Sequence, residues 1–417
     1  MNSLLLSRRF APLFFCQFFA AFNDNFLKTA LVFLILFGGR ADAEVLITTA
    51  SAIFIAPFFF LSGLGGELAD RFDKARVARV VKFVEIFVAA LAVAGYAWHS
   101  LTVLFVALFG FGVLAALFGP VKYGILPDHL KREELTAGNA LIEGATFIAI
   151  LIGTIVGGLA SRGDVTAFAP LLIGLALACW FAALLIPPSG QGAPQLAITG
   201  NVAVSTFAMI AHLRGDPRLW WGAMVTSWFW LTGIVVLALL PPLIKVLIGG
   251  DEGTVTAYLA IFSVAVGIGS AAAALIARGR IVLTTTLVGC VLIAVFALDI
   301  GLATMAVQPA TALHGPSTVF ASGLGLHMAV DLGGLAIAGG LFIVPAFAAV
   351  QAWAGPNYRA RTIAAINVLN AAFMTIGTVA TAALQKFDVG VPAIFVLIGV
   401  ATALVALAIW NTMPKAS

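Results

Sequence analysis

The sequence predicts an all-α membrane protein whose twelve transmembrane helices form two halves of six helices each. Three observations support this prediction: a hydrophobic composition, repeated long apolar segments and a polar linker near the middle of the chain. Of the 417 residues, 62% are hydrophobic and only 10% are charged, and the mean hydropathy is +1.11. A soluble domain of this length could not bury so much apolar surface, so the composition indicates an integral membrane protein.

Apolar segments long enough to cross a bilayer recur along the whole chain. One spanning helix needs about 20 apolar residues. Twelve segments of the sequence meet this condition, and none shows the alternating pattern of barrel strands. The predicted spans cover residues 10–37, 45–69, 77–98, 101–121, 139–160, 168–187, 219–242, 254–277, 281–304, 322–350, 363–386 and 392–412.

The longest connection between predicted spans divides the chain near its middle. It begins Pro-Pro-Ser-Gly-Gln-Gly-Ala-Pro, a composition typical of linkers. Residues 201–213 within it are predicted to form a short helix on the inner membrane surface. The predicted organisation is therefore an N-terminal half, 1–187, a cytoplasmic linker, 188–218, and a C-terminal half, 219–417.

The distribution of basic residues predicts that both termini are cytoplasmic. With the N-terminus inside, 16 of the 22 Lys and Arg residues fall on the inner side and four on the outer side. This bias agrees with the positive-inside rule. The four outer residues are Arg40, Arg162, Lys245 and Lys386, and the remaining two, Lys28 and Lys82, lie within predicted spans.

The first predicted span carries Asn23, Asp24, Asn25 and Lys28 at its centre. Ionisable groups at membrane depth cost several kcal/mol unless they face a cavity or a partner, so each is a candidate functional residue. Lys28 follows Asp24 by four residues, which places both on one helix face. The two side chains either form a structural pair or jointly meet a ligand that carries both charges.

Other polar residues within the spans have more than one interpretation. Lys82 and Glu85 are spaced i, i+3 and are expected to pair. His327 and Asp331 are spaced i, i+4 and either bind a proton or line a cavity. Asn367 lies one turn before a second asparagine and either lines the cavity or holds helices together.

The loop between the second and third spans, residues 66–76, reads Gly-Glu-Leu-Ala-Asp-Arg-Phe-Asp-Lys-Ala-Arg. It resembles the signature loop of the major facilitator superfamily, Gly-x-Leu-Ala-Asp-Arg-x-Gly-Arg-Lys, although Asp73 replaces the usual glycine. Gly66 permits close helix approach, and Asp70 can accept hydrogen bonds at a helix N-terminus. The resemblance implies the major facilitator fold and a conformational latch formed by Gly66, Asp70, Arg71 and Lys74. The alternative is a basic loop that only sets topology.

Four further stretches are similar to the bacterial lysophospholipid transporter family. They read Gln-Phe-Phe-Ala-Ala-Phe-Asn-Asp-Asn at 17–25, Gly-Pro-Val-Lys-Tyr-Gly-Ile-Leu-Pro at 119–127, Gly-Asn-Ala-Leu-Ile-Glu at 138–143 and Gly-Leu-Phe-Ile-Val-Pro-Ala-Phe-Ala-Ala-Val-Gln at 340–351. Together they cover nearly the whole chain, and the Pro-x-Lys-Tyr-Gly-Ile-Leu stretch is the most specific. The family implies a flippase that moves lysophospholipids such as lysophosphatidylethanolamine from the outer to the inner leaflet of the bacterial inner membrane by alternating access.

This resemblance implies a polar cavity for the lipid headgroup. Asp24, with the two flanking asparagines, would receive an ammonium group, and Glu143 would be a second headgroup contact. Lys122 would meet the phosphate, unless it is an interfacial lysine whose charge reaches the membrane surface. The remaining candidate substrate contacts are Asn23, Asn25, Lys28, His327, Asp331 and Asn367. Many relatives carry an arginine in the seventh span, where this sequence has Leu237, and Lys28 could replace that charge.

A transport function is favoured over an enzymatic one. The sequence shows no nucleophile–base set, metal cluster or phosphate-binding loop, so no cofactor, metal or nucleic acid is expected. None of the five histidines begins the His-x4-Asp pattern of acyltransferases. The family resemblance implies functional coupling to a separate acyltransferase and acyl-carrier-protein synthetase, and the protein is expected to be a monomer. The alternative is a proton-coupled major facilitator exporter of drugs or small metabolites.

Overall fold

A computed structural model describes residues 2–37, 43–160 and 165–414. Within these ranges all the continuous secondary-structure elements are helices. Over these ranges the only strand-like pairing is an isolated bridge between Gly250 and His314. The all-α prediction is therefore confirmed for the described residues. Arg40, Arg162 and Lys415, which contributed to the predicted orientation, lie outside them.

The helices are numbered in chain order. They are α1 (Asn2–Leu5), α2 (Ala11–Phe37), α3 (Ala43–Arg71), α4 (Lys74–Ala97), α5 (Leu101–Gly124), α6 (Leu126–His129), α7 (Leu135–Ala160), α8 (Val165–Leu184), α9 (Val202–Gly215), α10 (Pro217–Pro242), α11 (Glu252–Ala277), α12 (Leu283–Thr304), α13 (Pro316–Ala321), α14 (Gly323–Trp353), α15 (Arg359–Lys386) and α16 (Val391–Thr412). A 3₁₀ turn, Arg132–Glu134, precedes α7, and a π-helix, Leu243–Ile248, extends α10.

Helices occupy all twelve positions predicted to span the membrane. Among the described residues, ten helical segments are long and apolar enough to cross a bilayer. The other two predicted positions hold α4 and α8. Helix α4 begins with several charged residues, Lys74, Arg76, Arg79, Lys82 and Glu85, which lower its mean hydropathy. The chain is thus a multi-pass membrane protein.

The described chain forms two compact units. The first contains the described residues of the ranges 1–138, 148–220 and 351–371, and the second contains those of the ranges 139–147, 221–350 and 372–417. The first residues of α15 therefore group with the N-terminal helices, whereas a short part of α7 groups with the C-terminal helices. The simpler division at the linker, into 1–187 and 219–417, stays a prediction.

An aromatic stack joins three helices in the core of the first unit. The rings of Tyr96 and Phe168 lie 4.3 Å apart, and those of Phe26 and Phe168 lie 5.2 Å apart. Glycines bring α7 against α2 beside this stack, because a Cβ on Gly153 or Gly157 would lie 2.6 or 2.5 Å from a carbonyl oxygen of α2. These contacts position the polar centre of α2 within the helical packing.

The second unit is held by helix caps and close helix crossings. Asp251 caps α11 by accepting a hydrogen bond from the N–H of Thr254 at 2.8 Å. The hydroxyl of Tyr258, on α11, donates to the carbonyl oxygen of Gly325, on α14, at 2.6 Å. Helices α12 and α16 pack along their lengths, and Gly301 and Gly399 permit this close approach.

Candidate functional site

A cluster of charged side chains lies inside the first unit, on α2, α4 and α5. Asp24 interacts electrostatically with Lys28 on its own helix, with Lys82 and Glu85 on α4, and with Lys122 on α5. Three lysines and two carboxylates give this charge cluster a formal net charge of +1. The arrangement offers both a carboxylate and ammonium groups to a ligand within an otherwise apolar set of helices.

The Lys82–Glu85 pair forms as the sequence predicts. Lys82 Nζ lies 2.6 Å from Glu85 Oε2, and both side chains are almost fully buried. The Lys82 ammonium also lies 4.4 Å from the centroid of the Phe118 ring. A buried pair keeps its charges only because each neutralises the other. The other charged members of the cluster are Asp24, Lys28 and Lys122.

The two asparagines beside Asp24 have different surroundings. Asn25 Nδ2 donates to the carbonyl oxygen of Ala21 at 2.8 Å, so one of its donors is used within its own helix. Asn23 is fully buried, and neither atom of its amide finds a hydrogen-bond partner among the described residues. Since a buried amide normally has a partner, Asn23 is the stronger candidate for a ligand or water contact.

Asn367, on α15, packs directly against α5. A Cβ added to Gly119 would lie 2.7 Å from Asn367 Nδ2. Gly119 precedes Lys122 by one helical turn, so the glycine lets the carboxamide approach the helix that carries the cluster lysine. Both sequence interpretations of Asn367, helix contact and cavity lining, remain compatible with this position.

The remaining predicted substrate contacts lie in the second unit. Glu143 is fully buried on α7. His327 Nε2 lies 3.2 Å from Asp331 Oδ2, so the predicted neighbours on α14 do meet. The same nitrogen lies 2.9 Å from Oδ2 of Asp299, on α12. The sequence did not reveal this third partner, because 28 positions separate Asp299 from His327.

Asp70 forms a network at the N-terminus of α15. Its Oδ1 accepts the N–H of Ala360 at 2.9 Å, and its Oδ2 accepts Nε–H of Arg361 at 2.9 Å. The predicted role of Asp70 as an acceptor at a helix N-terminus is thus confirmed. Gly66 lies one turn earlier on α3, and a Cβ there would lie 2.7 Å from Cβ of Ala364. The predicted close approach at Gly66 is confirmed as well.

Asp128 forms a second network beside the first. Its Oδ2 lies 2.9 Å from Nζ of Lys74, and its Oδ1 accepts from Nη1 of Arg359 at 2.6 Å. Lys74 is almost fully buried, so the pairing compensates a charge that would otherwise be costly. Sequence reasoning missed Asp128. The available signal was an acidic residue two positions after the Pro-x-Lys-Tyr-Gly-Ile-Leu stretch.

The family model described as Major Facilitator Superfamily matches residues 13–333, which is more than half of the chain. The chain belongs to the major facilitator superfamily. Solved structures of similar proteins show the same fold. The human organic anion transporter MFSD10 (TETRAN) has a TM-score of 0.75 and 14% identity, covering 96% of this chain and 98% of that one. The transporter FucP, in the outward conformation, has a TM-score of 0.72 and 14% identity, covering 97% and 99%.

Two curated relatives show which family within the superfamily the chain belongs to. The chain is 31% identical over 277 residues to the lysophospholipid transporter LplT of Serratia proteamaculans, covering 66% of this chain and 67% of the relative. It is 30% identical over 278 residues to LplT of Cronobacter sakazakii, covering 66% and 67%. The chain is therefore a member of the lysophospholipid transporter family within the superfamily, and its relatives and structural neighbours are transporters.

Asp73, the departure from the superfamily signature loop, holds the linker. Its Oδ1 accepts from the N–H of Arg76 and caps α4, while its Oδ2 accepts from the N–H groups of Ser189 and Gly190 at 2.8 and 2.7 Å. A glycine could make none of these contacts. Arg71, a further charged member of the motif, lies over the ring of Phe72 at 5.3 Å, and its predicted latch role stays a prediction.

Helix α9 of the linker is attached to the same region. Glu67 Oε1 accepts from the hydroxyl of Ser205 at 2.5 Å, and its Oε2 accepts from the N–H of Thr199 at 2.9 Å. The rings of His212 and Tyr358 lie 3.8 Å apart. A helix is thus present where the sequence predicts one, while its placement on the membrane surface stays a prediction.

Proposed function

We propose that this protein transports lysophospholipids, such as lysophosphatidylethanolamine, from the outer to the inner leaflet of the bacterial inner membrane. The observation that carries the proposal is the charge cluster around Asp24, in a chain related to proteins named lysophospholipid transporter LplT. A lysophospholipid combines one acyl tail with a charged headgroup. Its carrier needs a polar cluster for the head beside apolar helices for the tail.

The cluster has the charges that a zwitterionic headgroup requires. An ammonium group would pair with Asp24, and a phosphate would pair with Lys28 and Lys122, because hydrogen bonds between charged groups are the stronger ones. The unpartnered amide of Asn23 would supply a further contact. The buried Lys82–Glu85 pair would stay intact during transport and would act on Asp24 only electrostatically. Glu143, His327, Asp331 and Asn367 are proposed as further contacts along the substrate path.

The conformational cycle is proposed to be alternating access, with both termini cytoplasmic. Gly66, Asp70, Arg71 and Lys74 would act as the latch that favours one conformation. Breaking the networks at Asp70 and Asp128 together releases the start of α15 from α3 and α4. The two networks are chemically suited to this role, since ion pairs can re-form whenever the helices return.

The direction of net transport would follow from consumption on the inner face. A lysophospholipid that reaches the inner leaflet would be re-acylated by a separate acyltransferase. An acyl-carrier-protein synthetase would supply the acyl groups. That reaction removes the transported species and so favours inward movement. No cofactor of the transporter itself is required by this scheme.

The test is uptake of labelled lysophosphatidylethanolamine by spheroplasts that express the protein, with conversion to the diacyl lipid reporting arrival at the inner face. Asp24→Asn should lower the initial rate about tenfold or more, because a contact with a charged group contributes roughly 1.5–3 kcal/mol. Asp388→Asn is the matched control, since Asp388 is exposed in the turn after α15 and Asn tolerates its positive φ of 59°. The control should transport at the wild-type rate.

The same assay separates the proposal from its main alternative. Excess unlabelled long-chain lysolipid should compete with uptake, whereas the deacylated headgroup, glycerophosphoethanolamine, should not. No uptake by the wild-type protein, despite normal membrane expression, would contradict the proposed substrate and favour an exporter of soluble compounds. Wild-type rates in Asp24→Asn would place the headgroup path away from α2.

A further inference from the structure

An acidic residue interrupts an exposed apolar stripe on α12. Side chains at helical spacing along this face are exposed and hydrophobic, and they are Val288, Val291, Val295 and Leu302. Asp299 lies in the same stripe, and its side chain is 50% exposed. A carboxylate on an exposed apolar face of a membrane helix is costly without a partner of opposite charge. The residues of α14 that lie beside Asp299 show how its charge is compensated.

Three side chains from two helices converge at this point. His327 Nε2 lies 2.9 Å from Asp299 Oδ2 and 3.2 Å from Asp331 Oδ2. One nitrogen and two carboxylate oxygens thus lie within 4.8 Å of one another. Two carboxylates share a single imidazole, so the group carries excess negative charge whenever both are ionised.

The imidazole cannot satisfy both carboxylates. A single Nε2–H donates one good hydrogen bond, and its shorter contact is with Asp299. Asp331 is only 2% exposed, and its Oδ2 atom has no hydrogen-bond partner among the described residues. A buried carboxylate oxygen without a donor, in a group that holds a second carboxylate within 4.8 Å, favours a cation between the two.

We propose that Asp299, His327 and Asp331 form a binding site for a divalent transition-metal ion of the Zn²⁺ class. Imidazole nitrogen and carboxylate oxygen are both ligands that zinc and similar borderline metals accept, whereas magnesium favours oxygen ligands alone. In a tetrahedral site with bonds of about 2.0–2.1 Å, ligand atoms lie roughly 3.3–3.4 Å apart. The observed separations of 2.9 and 3.2 Å need to open by only a few tenths of an ångström.

The site would leave one coordination position for water or for an anionic ligand. Its three residues lie near the Thr304 end of α12 and the Gly323 end of α14. Asp299 is five residues and His327 four residues from these ends, which corresponds to about 6–8 Å along a helix. Such a short distance from the helix ends would place the site within reach of ions from the adjacent aqueous phase.

The experiment is Zn²⁺ binding to the purified full chain in detergent, measured by equilibrium dialysis and elemental analysis. We expect about one tight Zn²⁺ per chain, and an affinity at least tenfold weaker in His327→Ala and in Asp299→Asn, because each removes one of three ligands. Both positions are exposed, and thermal unfolding without metal will show whether the variants fold. His314→Ala is the control, since His314 is exposed in the loop before α13, and it should bind like wild type.

A wild-type protein that binds no Zn²⁺, or variants that retain wild-type affinity, would overturn the proposal. Loss of the ion in His314→Ala, with retention in the other two variants, would place it elsewhere and would overturn it as well. Binding is measured without transport. A failure of this site and a failure of the proposed lipid transport can therefore be told apart.

Discussion

Oδ2 of Asp70 lies 2.9 Å from Nε of Arg361, although 291 positions separate the two residues in the chain. The same buried carboxylate accepts a hydrogen bond from the N–H of Ala360 and so caps the N-terminus of α15. Free N–H groups and a partial positive charge at a helix N-terminus both favour a carboxylate. Arg361 in turn lies 3.8 Å above the ring of Tyr358. One side chain therefore caps a helix, neutralises an arginine and attaches α3 to α15.

We predict that Asp70→Asn destabilises the protein strongly. The substitution leaves Arg361 without its anion and weakens the cap, and removing one partner of a buried pair costs about 3–5 kcal/mol. Thermal unfolding of the purified protein measures the change, and lipid uptake measures its effect on the cycle. Asp388→Asn, at an exposed position, serves as control. An unchanged melting temperature in Asp70→Asn would show that the network contributes nothing to stability.

Gly66→Ala and Gly174→Ala should shift stability in opposite directions. A methyl group at Gly66 would lie 2.7 Å from Cβ of Ala364, so α3 and α15 must separate, at a cost of roughly 1–3 kcal/mol. A Cβ on Gly174, within α8, would meet no atom within 4 Å apart from the nearby backbone of its own helix, and alanine there should stabilise by about 0.5–1 kcal/mol. Melting temperatures of both variants test this, and shifts of the same sign would contradict it.

Glu67→Ala should loosen helix α9. The glutamate accepts from Ser205 and from Thr199, so its loss leaves the linker helix without its polar attachment to α3. Met209, on α9, is only 2% exposed, and Met209→Cys provides a buried reporter thiol. We expect faster thiol labelling of Met209→Cys when Glu67→Ala is added. The three native cysteines are buried and should contribute little background.

The control for this experiment is Glu133→Ala, which removes an exposed carboxylate before α7. It should leave the labelling rate of Met209→Cys unchanged. Equal rates in the Glu67 and Glu133 variants would mean that apolar contacts alone hold α9.

The cap of α11 should contribute stability that depends on pH. Hydrogen bonds from the backbone N–H and the hydroxyl of Thr254 lower the pKa of Asp251. A lowered folded-state pKa means that the contribution is complete above the unfolded value of about 3.9 and is lost as the pH falls through the folded value. The difference in melting temperature between wild type and Asp251→Ala should therefore shrink between pH 6 and pH 3. A difference that stays constant would contradict this account.

Local sequence was sufficient to predict the helices and several of the contacts along them. Pairs one turn apart, Lys82 with Glu85 and His327 with Asp331, meet as the spacing predicts, because helix geometry alone brings them together. Helix ends were less predictable. Both α3 and α7 begin earlier than predicted, α3 at Ala43 instead of 45 and α7 at Leu135 instead of 139. The reason is that the first turn of each helix contains polar residues, which lie outside the apolar stretch used for the prediction.

By itself, the sequence determined that this chain is a multi-pass helical protein, that its signature loop lies between α3 and α4, and that Asp24 belongs to a polar centre within an apolar helix. These conclusions depend on composition and on neighbours within one turn. Only the tertiary structure decided that Asp128 joins Lys74 to Arg359, that Asp73 holds the linker, and that Asp299 completes a group with His327 and Asp331. Such partners come from separate helices, and their meeting depends on how those helices pack and rotate, which spacing along one segment does not encode.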